Sequence, residues 1–466
     1  MISNNLKRLL IITLFFSVFI GKSQEKILPN FIFYFADDQD QLDYGAYGNP
    51  KVHTPAVDQL VKEGMKFTNF YTSQSICAPS RSQLFTGMYP VKNGCMANHL
   101  PVKKDLKTVI DYLGARGYEV VLAGKSHVKP NSVFKWTHYF DSVDHRYLPL
   151  EAIDSYLATV KTPFCLFVTS DFPHGPYPKD SQYTKKDIYK LPYHNNRYVP
   201  NYKPGYYQNI KDDNTQLEAV IKMVDSHNLR DNSVFIYASD HGISGKWGVS
   251  EQGLRIPFVV RWPGVVAPGS SSQILLSLVD VLPTFLDISA SKIPSSIDGK
   301  SFYKTLKGNE SSVNDYIFSL ATRQNIQACK VFPTRAVRDA RFKFIRNYNA
   351  LEVYASNLGT NPVVNSFIKI GAESFPKVPF EELYDLEIDP FQKNNLIKNP
   401  KYHSIKNQLS DVLYSWMLSQ DDFLISNKMP LLKPTLHPLD RNSKWNKVST
   451  ENLKGLGPED YLKSHY

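Results

Sequence analysis

Residues 31–36 read Phe-Ile-Phe-Tyr-Phe-Ala, and Asp37-Asp38 follow at once. Six apolar or aromatic residues without polar alternation describe a strand buried on both faces, the pattern of a parallel sheet covered by helices. Such sheets gather their functional groups beyond the carboxyl ends of the strands, where the two acids stand.

The same grammar continues downstream. Thr54-Pro55 opens an amphipathic helix to about Lys66, with Thr54 as N-cap and Pro55 at the first helical position. A helix over Leu106–Arg116 ends at Gly117, and Tyr118–Ala123 reads as a strand. Phe164–Thr169 is a strand, Thr215–Asn228 a helix, and Val234–Ser239 and Pro257–Trp262 are strands. Leu278–Ile288 is a helix in which Pro283 demands a kink or a late start. This alternation predicts an α/β fold, a large mixed, mainly parallel sheet sandwiched by helices.

After about residue 315 the pattern changes. Short strands at Thr334–Val337, Phe342–Arg346 and Leu383–Leu386 and a helix at Lys406–Met417 predict a smaller α+β subdomain with a short antiparallel sheet. The expected organisation is a signal peptide over 1–24, a catalytic domain over 25–315 and a C-terminal subdomain with a surface tail over 316–466. The signal reading rests on Lys7-Arg8, the short apolar run Leu9–Ile20 and the small residues Gly21 and Ser23. It predicts export to the periplasm or medium, without stable membrane insertion.

The net charge of +10 favours anionic partners, but Lys and Arg are scattered, which argues against nucleic acid. Aromatic residues at 13 % suit saccharide stacking as well as core packing. In an exported chain the four cysteines permit disulfides in three pairings. Cys165, inside an apolar run, reads as a buried core thiol.

Cys77 lies in Cys77-Ala78-Pro79-Ser80-Arg81. Pro79 suits a first helical turn, so Cys77 falls at a helix N-terminus, which favours an anion. Arg81, one turn on, brings its guanidinium to the same place. Asp37-Asp38 and Ser239-Asp240-His241-Gly242 both follow strands, and their hard oxygens suit Ca2+ or Mg2+. Gly124-Lys125-Ser126-His127, Pro173-His174-Gly175-Pro176 and Gly245-Lys246-Trp247 are further polar clusters. Each, taken singly, also suits a cap or a solvent-facing loop.

Together these segments resemble the formylglycine-dependent sulfatases of the alkaline phosphatase-like superfamily, over roughly residues 28–400. The carrying motif is Cys-x-Pro-Ser-Arg with Leu84, Thr86 and Gly87 behind it. The resemblance implies that a formylglycine-generating maturation enzyme oxidises Cys77 to an aldehyde whose hydrate is the nucleophile. It further implies a divalent cation, Ca2+ or Mg2+, held by Asp37, Asp38, Asp240, His241 and residue 77. Lys125, His174 and Lys246 would bind sulfate, and His127 would act as an acid/base. Arg81 completes the expected catalytic set.

The implied substrate is a sulfated polysaccharide or its oligosaccharides, attacked at or near chain ends. His99 and Arg335 are candidate contacts for its hydroxyls or carboxylates. Segments such as Gly45-Ala46-Tyr47 and Tyr198-Val199-Pro200 also resemble the branch near heparan N-sulfatase, so N-sulfate stands as an alternative. Phosphonate or phosphodiester hydrolysis by the same superfamily, and an inactive carbohydrate-binding homologue, stand beside it.

Overall fold

The computed structural model describes residues 28–190, 201–309, 311–325, 330–348 and 379–426. The signal segment, Tyr198-Val199-Pro200, Cys329 and the tail from Pro430 lie outside the described residues.

Thirteen strands are described. The first nine are β1 (Asn30–Ala36), β2 (Met65–Tyr71), β3 (Glu119–Gly124), β4 (His138–Phe140), β5 (Phe164–Thr169), β6 (Ser233–Ser239), β7 (Arg255–Arg261), β8 (Ser270–Ser272) and β9 (Leu276–Ser277). They form one sheet in the order β4-β3-β5-β1-β6-β7-β2-β8, with β9 also against β2. Only β7 runs antiparallel to its neighbours β6 and β2. The remaining four, β10 (Ile317–Asn325), β11 (Lys330–Arg338), β12 (Phe342–Asn347) and β13 (Glu381–Asp385), make a separate antiparallel sheet in that order.

The principal helices are α1 (Pro55–Glu63), α2 (Cys77–Thr86), α3 (Val109–Gly114), α4 (Leu150–Thr159), α5 (Lys203–Ser226), α6 (Glu251–Leu254), α7 (Val281–Ile288) and α8 (His403–Ser419). Because strand side chains alternate, β1 serves two cores. Phe31, Phe33 and Phe35 join residues of α2, α3 and α7 on one face. Ile32, Tyr34 and Ala36 join residues of α1, α4 and α5 on the other. The central strand is fully buried for this reason, and the sandwich expected from its sequence is present. Leu409, Leu413, Trp416 and Met417 of α8 cover the second sheet.

Several boundaries differ from the sequence reading. The helix expected to reach Lys66 stops at Glu63. Gly64 presses on β7, where an added Cβ would stand 2.2 Å from the Val260 carbonyl. Met65–Tyr71, which sequence reading missed, is a strand. Helix α5 starts at Lys203, twelve residues before the expected Thr215. Pro204 fits its first turn, and Gly205 lets it pack on Pro178, whose carbonyl would lie 2.4 Å from a Cβ. Leu278–Asp280 form a 3-10 turn ahead of α7, so Pro283 falls early in the helix, as a late start requires.

Candidate active site

Strands β3, β5, β1 and β6 are adjacent and parallel, so their carboxyl ends open side by side. Lys125 and His127 follow β3, His174 follows β5, Asp37 and Asp38 follow β1, and Asp240 and His241 follow β6. Helix α2 brings Cys77 as its first residue, with Pro79 in the first turn and Arg81 behind it.

Around Cys77 the side chains converge. Its Sγ lies 3.5 Å from Oδ1 of Asp37 and 3.4 Å from Nε2 of His241. One ligand atom from each of Asp37, Cys77, Asp240 and His241 falls within 4.8 Å of the other three, and all four residues are buried. Asp38 lies against this group. Its carboxylate meets Lys246 Nζ at 2.8 Å and 2.9 Å, and His241 Nε2 at 3.3 Å. The Asp38 backbone is left-handed, with φ 65, and Tyr206 Oη donates to its carbonyl at 3.3 Å.

Arg81 is completely buried and donates to Asp37 Oδ2 at 3.1 Å and to the Lys125 carbonyl at 3.0 Å. Lys125 Nζ lies 2.5 Å from the same Asp37 oxygen and 2.7 Å from Asp171. His174 Nε2 stands 3.7 Å from Asp38. Sequence reasoning missed Asp171 and Arg146. Asp171 follows β5 in Ser170-Asp171-Phe172, so the strand-end rule would have found it. Arg146 pairs with Asp171 at 3.6 Å, lies over the Phe172 ring and donates to the His174 carbonyl at 3.0 Å, bracing the β5 loop. No motif marked it.

The electrostatics show crowded carboxylates. Burial pushes the Asp37 carboxyl up, but Lys125 and Arg81 outweigh it and hold the group well below the usual range. Burial and neighbouring Asp37 lift Asp240 to about 8. Burial depresses His241, yet Asp240 and Asp38 raise it to about 10. Burial and Asp37 raise the Cys77 thiol, while Lys246 and His241 more than reverse this. Oδ2 of Asp240 is buried and accepts no hydrogen bond. Arg81 Nε lies 3.7 Å from that oxygen, too far for a hydrogen bond. A buried carboxylate oxygen with an unshared lone pair, beside a second carboxylate, fits a divalent cation. The two carboxylates supply hard donors and His241 a softer one.

Arg335 requires a correction. Its guanidinium is fully buried and forms a two-pronged pair with Asp422, Nε to Oδ2 at 2.5 Å and Nη2 to Oδ1 at 3.0 Å. A side chain so enclosed is not a saccharide contact, and it holds the second sheet to the segment after α8. His99 is brought to the site, but its Nδ1 lies 3.0 Å from His127 Nε2. Cys165 is a buried core thiol as expected, and Cys77, Cys95 and Cys165 are all free.

The family model described as Sulfatase matches residues 29–290, more than half of the chain and every residue of the converging cluster. The chain belongs to the sulfatase family. Its members are sulfuric ester hydrolases, and metal binding by this sulfatase is consistent with the buried donor group. Residues 239–362 also match the model described as N-sulphoglucosamine sulphohydrolase, C-terminal. An ulvan-active sulfatase from Formosa agariphila is 48 % identical over 448 residues, spanning 93 % of this chain and 90 % of that protein. An N-acetylgalactosamine-6-O-sulfatase from Bacteroides thetaiotaomicron is 24 % identical, covering 85 % of this chain and 94 % of that one.

Among solved structures, a 2-O GAG sulfatase superposes with a TM-score of 0.70 at 21 % identity, covering 89 % of this chain and 96 % of that one. A phosphonate monoester hydrolase of Agrobacterium radiobacter gives 0.67 at 17 % identity, covering 84 % and 96 %. These two show the shared fold, whose chemistry is set by the site. No helix among the described residues is long and apolar enough to cross a membrane.

Proposed function

We propose that this sulfatase is an exported enzyme that removes sulfate esters from a sulfated polysaccharide of the ulvan class, or from its oligosaccharides, at or near chain ends. Residues 25–315 form its catalytic domain, and residues 1–24 direct it to the periplasm or medium. The observation that carries the reaction is the meeting of Cys77, Asp37, Asp240 and His241 at the mouth of the sheet. The polysaccharide assignment is supported by similarity to the ulvan-active sulfatase over 93 % of the chain.

Asp37, Asp240 and His241, with Asp38 alongside, would hold Ca2+, which supplies charge stabilisation to sulfate oxygens. Cys77 matured to formylglycine would supply the nucleophile. Lys125 and Lys246 keep their protons because burial, which opposes charge, is outweighed by the neighbouring anions. Both are therefore fixed cations for the sulfate, together with Arg81. His174, beside Asp38, assists the departing alcohol, and His127 serves as an acid/base.

The test is desulfation of defined ulvan oligosaccharides by protein co-expressed with a formylglycine-generating enzyme. Release of sulfate from terminal residues is the expected result. Faster turnover of a phosphonate monoester than of any sulfate ester would overturn the reading. The match to the N-sulphoglucosamine sulphohydrolase C-terminal model favours N-sulfated glucosamine as a second substrate class, tested in the same screen.

A further inference from the structure

His99 and His127 come from different loops, yet their rings meet, with His99 Nδ1 3.0 Å from His127 Nε2. Both residues hold left-handed backbone, at φ 67 and φ 54. Such conformations are uncommon outside glycine and persist where the surroundings demand them, often at functional sites.

The protonation of the pair can be read from its far end. The Ala78 backbone N–H, in the first turn of α2, donates to Oδ1 of Asn98 at 3.2 Å. This contact orients the amide, since the reverse orientation would set N–H against N–H. Nδ2 of Asn98 then faces Nε2 of His99 at 3.2 Å. An amide nitrogen only donates, so Nε2 of His99 accepts and the His99 proton sits on Nδ1. That N–H donates to Nε2 of His127, which leaves the His127 proton on its Nδ1. Nδ1 of His127 is shielded from solvent and has no hydrogen-bond partner.

We propose that Asn98 and His99 are positioning residues that hold His127 as its neutral Nδ1–H tautomer, presenting a hydrogen-bond donor to the reacting groups. The inference rests on the sulfatase reading of this site and narrows the acid/base role of His127 to hydrogen-bond donation in the resting enzyme, since a nitrogen that carries its proton has no lone pair to take another. It also moves His99 from substrate contact to support of a catalytic ring. Lys125, Arg81, Asp37 and His174 all act on the His127 ring; burial, then Lys125 and Arg81, keep a second proton off it and push its pKa down to about 3. Asp37 pulls the other way and is outweighed.

The experiment is multiple-bond NMR of the full-length protein labelled with 15N in histidine, with the His127 signals assigned by their loss in His127→Gln. At neutral pH the wild type should show the His127 proton on Nδ1. His99→Leu removes the donor and should move His127 toward the Nε2–H form, while His99→Gln, whose amide N–H can replace the donor, should retain Nδ1–H. Asn98→Ala should give a mixture. On a small aryl sulfate His99→Leu should lower kcat roughly tenfold with KM little changed, a fraction of the 10²–10⁴ that an acid/base group contributes. An Nε2–H tautomer in the wild type, or an unchanged tautomer in both His99→Leu and Asn98→Ala, would overturn the proposal. The NMR result does not depend on turnover, so a failed substrate assignment leaves it standing or falling by itself. If His99→Leu does not fold, the wild type and Asn98→Ala decide.

Discussion

Two of the buried clusters of charge among the described residues differ in how completely their atoms are satisfied. At the seam between the sheets, Glu251 receives Lys343 Nζ at 2.8 Å on one carboxylate oxygen. Arg338 at 2.8 Å and the Tyr71 hydroxyl at 2.9 Å reach the other oxygen. None of these four side chains has a buried polar atom left without a partner. At the carboxyl end of the main sheet, Asp240 Oδ2, Arg81 Nε and His127 Nδ1 all lack hydrogen bonds. The seam is closed and structural. The mouth of the sheet holds unmet donors and acceptors, which is where a cation and an anionic substrate have something to gain.

The comparison can be broken at several places. The largest effect is expected from Cys77→Ala, which should lower sulfate ester turnover by roughly 10⁴-fold or more, as loss of a catalytic nucleophile does. Peptide mass analysis of active wild type should find the aldehyde at position 77, and substantial activity in the variant would refute the assignment.

Asp240→Asn comes next. It removes a charge from the donor group, so metal content measured by elemental analysis should fall, and with it the thermal stabilisation that added Ca2+ confers on the wild type. Exhaustive chelation of the wild type should likewise abolish turnover, with recovery on adding Ca2+. Undiminished metal content in Asp240→Asn would remove it from the ligand set.

At the seam the expectation reverses. Glu251→Gln leaves Arg338 and Lys343 buried without a counter-charge and should destabilise the fold by about 3 kcal/mol in urea unfolding, the usual scale for breaking a buried pair. kcat per folded molecule should stay within a few-fold of the wild type. A loss of turnover with unchanged stability would place Glu251 in the catalytic machinery instead.

The smallest effect concerns acid. Burial raises the Glu251 carboxyl, but Lys343 and Arg338 outweigh it and hold it at about 2, against an ordinary 4.5. A depressed carboxyl stabilises the fold above its unfolded pKa, and that stability fades as pH falls from about 4.5 toward about 2. Glu251→Gln should therefore show a shallower loss of stability with acid over that window than the wild type. Equal slopes would mean that the pair does not set the acid response.

Much of the candidate site was legible because its motifs are local. Asp37, Asp38, Asp240 and His241 stand directly after strands whose apolar runs announce them, His127 and His174 follow theirs within about five residues, and Pro79 marks the start of the helix that carries Cys77. The run 31–36 similarly announced a sheet covered on both faces, since only full burial makes such a sequence soluble. Strand β2 was harder to read, because Met65–Tyr71 continues an apolar helix pattern and only Gly64 against Val260 separates them.

Arg335 shows the limit from the other side. Its sequence context does not distinguish an arginine facing a substrate from one paired with Asp422, which lies 87 residues away. The sequence by itself determined which chemical groups follow which strands, because strand and helix signals depend on neighbours a few residues apart. Only the tertiary structure decided which groups meet: that Asp171 and Arg146 brace the site, that Arg335 does not face it, and that Asn98 and His99 reach His127. Those pairings depend on the order of strands in the sheet and on loop closure, which bring together residues far apart in the chain.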